Sequence, residues 1–147
     1  MRRALTALLV ALGAWACSSP DPVQALMEEL EEAAEARDAD RFARRLSPAF
    51  RGGNAMPRAE ALATLRRYFA GYESIALTVY GTEVERSGGQ ARIRCVVEFS
   101  GDVRKLGGLE GLLPPQAAYR FELDAADEEG EWRVRSARWE AVPASPQ

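Results

Sequence analysis

The spacing of apolar residues changes once along this chain, near Gly71, and that change limits the folds open to it. Before it the spacing is helical. Val23, Leu26, Met27, Leu30, Ala33 and Ala34 recur on one side, and Glu28, Glu29, Glu31, Glu32 and Glu35 fill the other. This predicts an amphipathic helix whose acidic run is a solvated face. Asp38 or Asp40 suits the N-cap of a short second helix carrying Phe42 and Leu46, which Ser47-Pro48 helps to end. Phe50 to Met56 reads as a loop. Pro57 suits the first turn of a third helix, where no backbone donor is needed, with Ala61, Leu62, Leu65, Tyr68 and Phe69 as its buried stripe and Gly71 at its close.

After Gly71 the period is two. Ile75, Leu77 and Val79 alternate with Ala76, Thr78 and Tyr80, and Gly81 marks a bulge before Val84. Ser87-Gly88-Gly89-Gln90 is a hairpin turn. Ala91, Ile93, Cys95, Val97 and Phe99 then face one way, and Arg92, Arg94, Val96 and Glu98 the other, which means one buried and one wetter face. Gly101 to Pro115 is a long glycine-rich connection. Tyr119, Phe121 and Leu123 alternate with Arg120, Glu122 and Asp124, and Asp127 to Gly130 turns the chain. Trp132, Val134 and Ser136 complete the inward set, with Arg133, Arg135 and Ala137 outward. Arg138 falls in the inward register after Ser136. Three helices followed by four mostly antiparallel strands make an α+β layout, with the helices on one side of a curved sheet.

The segment ahead of the first helix is of another kind. Met1-Arg2-Arg3 is basic, Ala4 to Ala14 is almost wholly apolar, and Ala14-Trp15-Ala16 precedes Cys17. This is the pattern of a secretory signal peptide over residues 1–16. Its apolar run of about 11 residues falls short of the ~20 that a spanning helix needs. A cysteine directly after the cut resembles the lipobox of bacterial lipoproteins, although Ala14 stands where leucine is usual. Ordinary cleavage after Ala14-Trp15-Ala16 would cut the same bond. Under the lipoprotein reading Cys17 carries the acyl chains, palmitate among them, and becomes a membrane anchor. Residues 17–22 form a short tether, of which Ser18 to Pro22 spans at most about 17 Å. Ser18 in place of aspartate then implies the periplasmic face of the outer membrane. The domain proper covers residues 23–142, and residues 143–147 are a tail.

Charge excludes some functions. The chain of 147 residues has a net charge of −3, which becomes −5 once Arg2 and Arg3 leave with the leader. That argues against nucleic acid as the main partner. There is no histidine, so the commonest metal ligand and the commonest general base are both missing. No metal and no cofactor is expected. Cys17 and Cys95 are the only cysteines. Cys95 reads as an inert buried thiol if Cys17 is lipidated, and a bridge between the two is conceivable if it is not.

Three stretches carry a family likeness. They are Ala36-Arg37-Asp38-Ala39-Asp40-Arg41-Phe42 with Leu46-Ser47-Pro48; Gln90-Ala91-Arg92-Ile93-Arg94; and Glu131-Trp132-Arg133-Val134-Arg135-Ser136-Ala137-Arg138-Trp139. With the order of elements, they resemble the nuclear transport factor 2-like superfamily, which includes ketosteroid isomerase and the SnoaL-like cyclases. The resemblance covers roughly Val23 to Glu140. It implies a cone-shaped, curved antiparallel sheet packed against three N-terminal helices, with a mouth able to hold a small apolar ligand. The superfamily contains enzymes, binding modules and assembly domains, so the fold alone names no activity.

An isomerase-type site needs a carboxylate base in an apolar cavity and a tyrosine or protonated acid to stabilise an oxyanion. Asp38, Asp40, Glu98 and Asp102, with Tyr68, Tyr72, Tyr80 or Tyr119, are the available groups, and none matches the family's catalytic pattern. Arg92, Arg94, Arg120, Arg133 and Arg135 share their strands with Glu83, Glu85, Glu98, Glu122 and Asp124, so cross-strand ion pairs explain them better than an anion-binding patch. Pocket or lid candidates are Leu106, Leu109, Leu112 and Leu113 of the long connection, together with Tyr68, Tyr119 and Arg138. The leading expectation is a lipid-anchored, non-catalytic domain that binds a small apolar molecule or a protein. The alternatives are a ketosteroid isomerase-like lyase or isomerase, and an assembly domain that forms a homodimer through its sheet.

Overall fold

The computed structural model of the protein describes residues 20–104 and 113–143. Helix α1 spans Pro22–Glu35 and α2 spans Ala39–Arg44. Strand β1 is Leu46–Arg51, followed by a single 3-10 turn at Gly53–Ala55. Helix α3 is Arg58–Gly71. Four long strands complete the chain: β2 Tyr72–Ser87, β3 Gln90–Val103, β4 Gln116–Glu128 and β5 Glu131–Val142. They form one five-stranded sheet in the order β1-β5-β4-β3-β2.

Local chemistry sets the element ends. Asp21 caps α1, its Oδ1 accepting from the Val23 N–H at 2.9 Å, and Pro22 takes the first helical position. Asp38 caps α2 by accepting from the Arg41 N–H at 2.9 Å. Pro57 stands at the N-cap of α3, one position before the first helical residue. The hairpins fall where the turn residues put them, at Gly88-Gly89 and at Glu129-Gly130. In the second, both residues have positive φ, 58° and 88°, as a tight hairpin turn requires. The bulge at Gly81 is present: Tyr80 pairs with Val96 and Glu83 with Arg94, so one residue is extra.

The core lies where α1, β1 and α3 meet one end of the sheet. Val23, Leu26 and Leu30 of α1, Leu46 and Phe50 of β1, and Leu62 of α3 pack on Ala91, Ile93, Leu123, Ala125, Val134 and Ala137. Ile93 is wholly buried.

Three expectations are corrected. Leu46 is not on α2, and Phe50 is not in a loop. Both belong to β1, which pairs parallel with β5 through Leu46–Val134. The sheet therefore has five strands and one parallel edge pair, where four mostly antiparallel strands were expected. Next, β5 carries a bulge at Arg135, because Asp124 faces Ser136 while the adjacent Ala125 faces Val134. The bulge reverses the alternation. Ala137 turns inward and is buried, and Ser136 turns outward, its Oγ donating to Asp124 Oδ2 at 3.0 Å. Arg138 consequently points away from the concave face and bonds Glu122 instead. Last, the acidic face of α1 is only partly a solvated one. Glu29 and Glu32 both accept from Arg41 of α2, at 2.8 and 2.5 Å, and Glu35 accepts from the Leu77 N–H at 2.9 Å.

Candidate functional site

Beyond the buried core, the inward face of the sheet continues as a row of aromatic side chains. Cross-strand pairing sets Phe121 of β4 between Cys95 of β3 and Trp139 of β5, and sets Tyr119 beside Val97. The Phe121 ring lies 6.1 Å from Trp139 and 6.3 Å from Tyr119, centre to centre. Both are within the range of favourable aromatic pairing. Trp139 is 45% exposed and carries the row out to the surface. Its rim approaches Gly52, where an added Cβ would lie 3.7 Å from the indole. The next inward pair, Phe99 of β3 and Tyr72, meet edge to face at 4.9 Å.

The carboxylates are elsewhere. Glu122 is held by Arg138 and, at 3.3 Å, by Arg94, and these two guanidiniums keep its carboxyl below the usual range. Asp124 accepts from Arg92 at 3.0 Å. Glu98 accepts from the Tyr80 hydroxyl at 3.2 Å and Asp102 from Ser74 at 2.6 Å. Asp38 is a helix cap, and Asp40 pairs with Arg66 at 3.1 Å. The Tyr72 hydroxyl donates to the Pro114 carbonyl at 2.8 Å, and burial pushes its ionisation up. None of the carboxylates considered for acid–base work projects from the inward register of the aromatic row; of the tyrosines, Tyr119 does. Among the described residues, no three carboxylate or cysteine side chains gather to hold a metal ion.

The arginines of the strands are ion-paired, not all across strands: Arg94 also with Glu85 of β2 at 3.0 Å and Arg120 with Glu140, directly opposite on β5, at 2.8 Å, but Arg133 with Glu131 of its own strand at 2.6 Å and Arg135, at the bulge, with Glu128 at 3.3 Å. They form no free anion-binding patch. Of the pocket candidates, Tyr119 lies in the aromatic row, and Tyr68 is half exposed on α3. Leu113 packs on Gly71, where an added Cβ would collide with its Cδ1. It therefore fastens the end of the long connection to α3. Arg138 is outside the row. Leu106, Leu109 and Leu112 lie outside the described residues, as does Cys17. Phe121 and Trp139 were not among the candidates. The alternation of β4 pointed to Phe121, but the bulge at Arg135 hid Trp139. Cys95 lies beneath the row, 2% exposed, and burial raises its thiol pKa.

No protein-family model and no curated protein sequence matches the chain. Solved structures do match it in shape. An NTF2-like protein from Cytophaga hutchinsonii superposes with a TM-score of 0.69 at 12% identity, over 85% of this chain and 99% of that one. A proposed dehydratase of the NTF2-like family from Streptomyces avermitilis gives 0.66 at 15% identity, over 84% and 95%. The protein LinA gives 0.68 at 15% identity, over 86% and 87%. At these identities the likeness concerns the fold, and the fold is the nuclear transport factor 2-like cone of helices and curved sheet that the sequence stretches resemble.

Proposed function

We propose that the protein is a lipid-anchored envelope protein whose cone binds a small, uncharged, apolar molecule without transforming it. One observation carries the binding reading. The inward face ends in an aromatic row of Tyr119, Phe121 and half-exposed Trp139, while every carboxylate weighed as a base is engaged elsewhere. Such a surface takes up an apolar body by burial and ring stacking and offers nothing to abstract a proton. A neutral naphthylamine dye added to the mature protein tests it. The dye's emission should rise and shift to the blue, and Trp139→Ala should weaken its binding at least about tenfold, as loss of one aromatic contact implies. A dye that binds the variant equally well would end the reading.

A lyase or isomerase is the second reading, favoured by the proposed dehydratase among the structures of the same shape. It requires an acid or base at the row, and turnover that Trp139→Ala abolishes. The anchor is tested separately. Cys17→Ser should release the protein from membranes or block its processing, and wild type that takes up no labelled fatty acid would rule lipidation out.

A further inference from the structure

A second feature lies in the helix layer. A groove of about 400 Å³ is lined by Ala36, Arg37, Ala39, Arg66, Phe69, Ala70 and Arg104. Its apolar part is Phe69 with the three alanines, and its polar part is three guanidiniums from three separate parts of the chain. Arg37 Nη1 and Arg104 Nε both donate to a single acceptor, the Tyr72 carbonyl, at 2.8 and 3.1 Å. Two cations thus meet at one neutral oxygen, and among the described residues neither is ion-paired. Arg66, across the groove, has one partner, the largely exposed Asp40. In a chain whose other arginines are mostly matched to carboxylates, this cluster is an excess of positive charge. A guanidinium has five donors, so each of the converging pair has several beyond the one used on Tyr72.

The backbone supplies an independent observation. Arg37 sits at the residue after the α1 C-cap with φ of 55°, the left-handed conformation for which glycine is the usual occupant. The helix ends in the expected bonds, with the Arg37 N–H donating to the Ala34 carbonyl at 3.0 Å and the Asp38 N–H to the Ala33 carbonyl at 2.9 Å. An arginine held where glycine would be unstrained points to a use for its side chain.

We infer that this groove binds a small soluble organic oxyanion, a phosphate monoester or carboxylate with a compact apolar body. Arg37, Arg66 and Arg104 hold the charged oxygens and Phe69 receives the apolar part. This site is on the helix layer, apart from the aromatic row of the sheet, and does not depend on what the row binds.

Phenyl phosphate is the probe, titrated into the mature protein and followed by amide chemical shifts and by calorimetry. Saturable shifts should centre on residues 36–40 and 66–71, and added salt should weaken binding. Inorganic phosphate should bind more weakly, because it lacks the ring. Arg37→Gly should lower affinity at least about tenfold, the loss of one charge-assisted bond. It should not lower the melting temperature, since glycine suits the backbone there. Arg104→Gln should weaken binding similarly. The inference fails if phenyl phosphate gives no saturable shift at these residues. It also fails if Arg37→Gly lowers stability while affinity persists, for Arg37 would then only tie down the Tyr72 carbonyl. Binding confined to vesicles of anionic phospholipid, with no response to phenyl phosphate, would overturn it as well.

Discussion

Single atoms decide several features of this protein. Gly101 is one. A Cβ there would lie 2.7 Å from Tyr72 Cδ1 and 2.9 Å from the Ser74 carbonyl oxygen, and backbone cannot give way as a side chain can. Gly101→Ala should therefore cost about 1–3 kcal/mol through overpacking, measurable by urea denaturation. Ile93, wholly buried at the centre of the core, should show the opposite defect. Ile93→Ala leaves a cavity and should cost about 2–5 kcal/mol. The thiol of Cys95 should react slowly in the native protein and quickly after denaturation, because it is buried and its pKa is raised by that burial. Fast labelling of folded protein would mean that the aromatic row opens down to β3. Residue identity was also where the sequence misled. Nothing in Arg135 announces a bulge, because no glycine or proline marks it, and one uncounted residue moved Arg138 to the outside and Trp139 to the inside.

Elements were legible to the extent that their cause is local. The three helices and both hairpins follow from apolar spacing, caps and turn residues within a few positions of each other. Strand β1 did not follow. Its six residues include Pro48, and among the described residues its only partner strand is β5, near the other end of the sequence, so neither propensity nor alternation reveals it. The groove of Arg37, Arg66 and Arg104 was illegible for the same reason, since its parts come from a helix end, a helix face and a strand end. Contacts between elements also fix how stability depends on pH. Glu29 of α1 is held below the usual carboxylate range by its hydrogen bond from Arg41 of α2, and Glu122 of β4 by Arg138 and Arg94. A depressed carboxyl stabilises the fold above the ordinary carboxylate range, and that contribution is lost as pH falls through the range. Glu31 runs the other way. Burial first, then Glu35, Glu28 and Glu32, raise its pKa, so its ionisation works against the folded state as pH rises past the ordinary value. Glu31→Gln should therefore raise the melting temperature at neutral pH and have little effect near pH 4. An equal effect at both would show that the repulsion along α1 is absent.

At the scale of the whole molecule, the chain closes on itself late. The N-terminal half supplies the helices and β1, but among the described residues β1 has no partner strand until β5 exists, and Leu46 must wait for Val134. β5 is also the middle member of the trio β1-β5-β4, so the last strand in sequence is an interior strand of the sheet. Leu46 and Phe50 are buried only in the core to which β5 contributes Val134 and Ala137. A protein arranged this way cannot complete its core piecemeal as the chain emerges from a ribosome or a membrane pore. The early segments remain without their final partners until the distal hairpin is free, so this long-range closure should be the slow step of folding, and a substitution at Leu46 or Val134 that slows refolding in stopped-flow would check it. If the protein is exported as proposed above, late closure would keep the chain in a transportable state until all of it has passed.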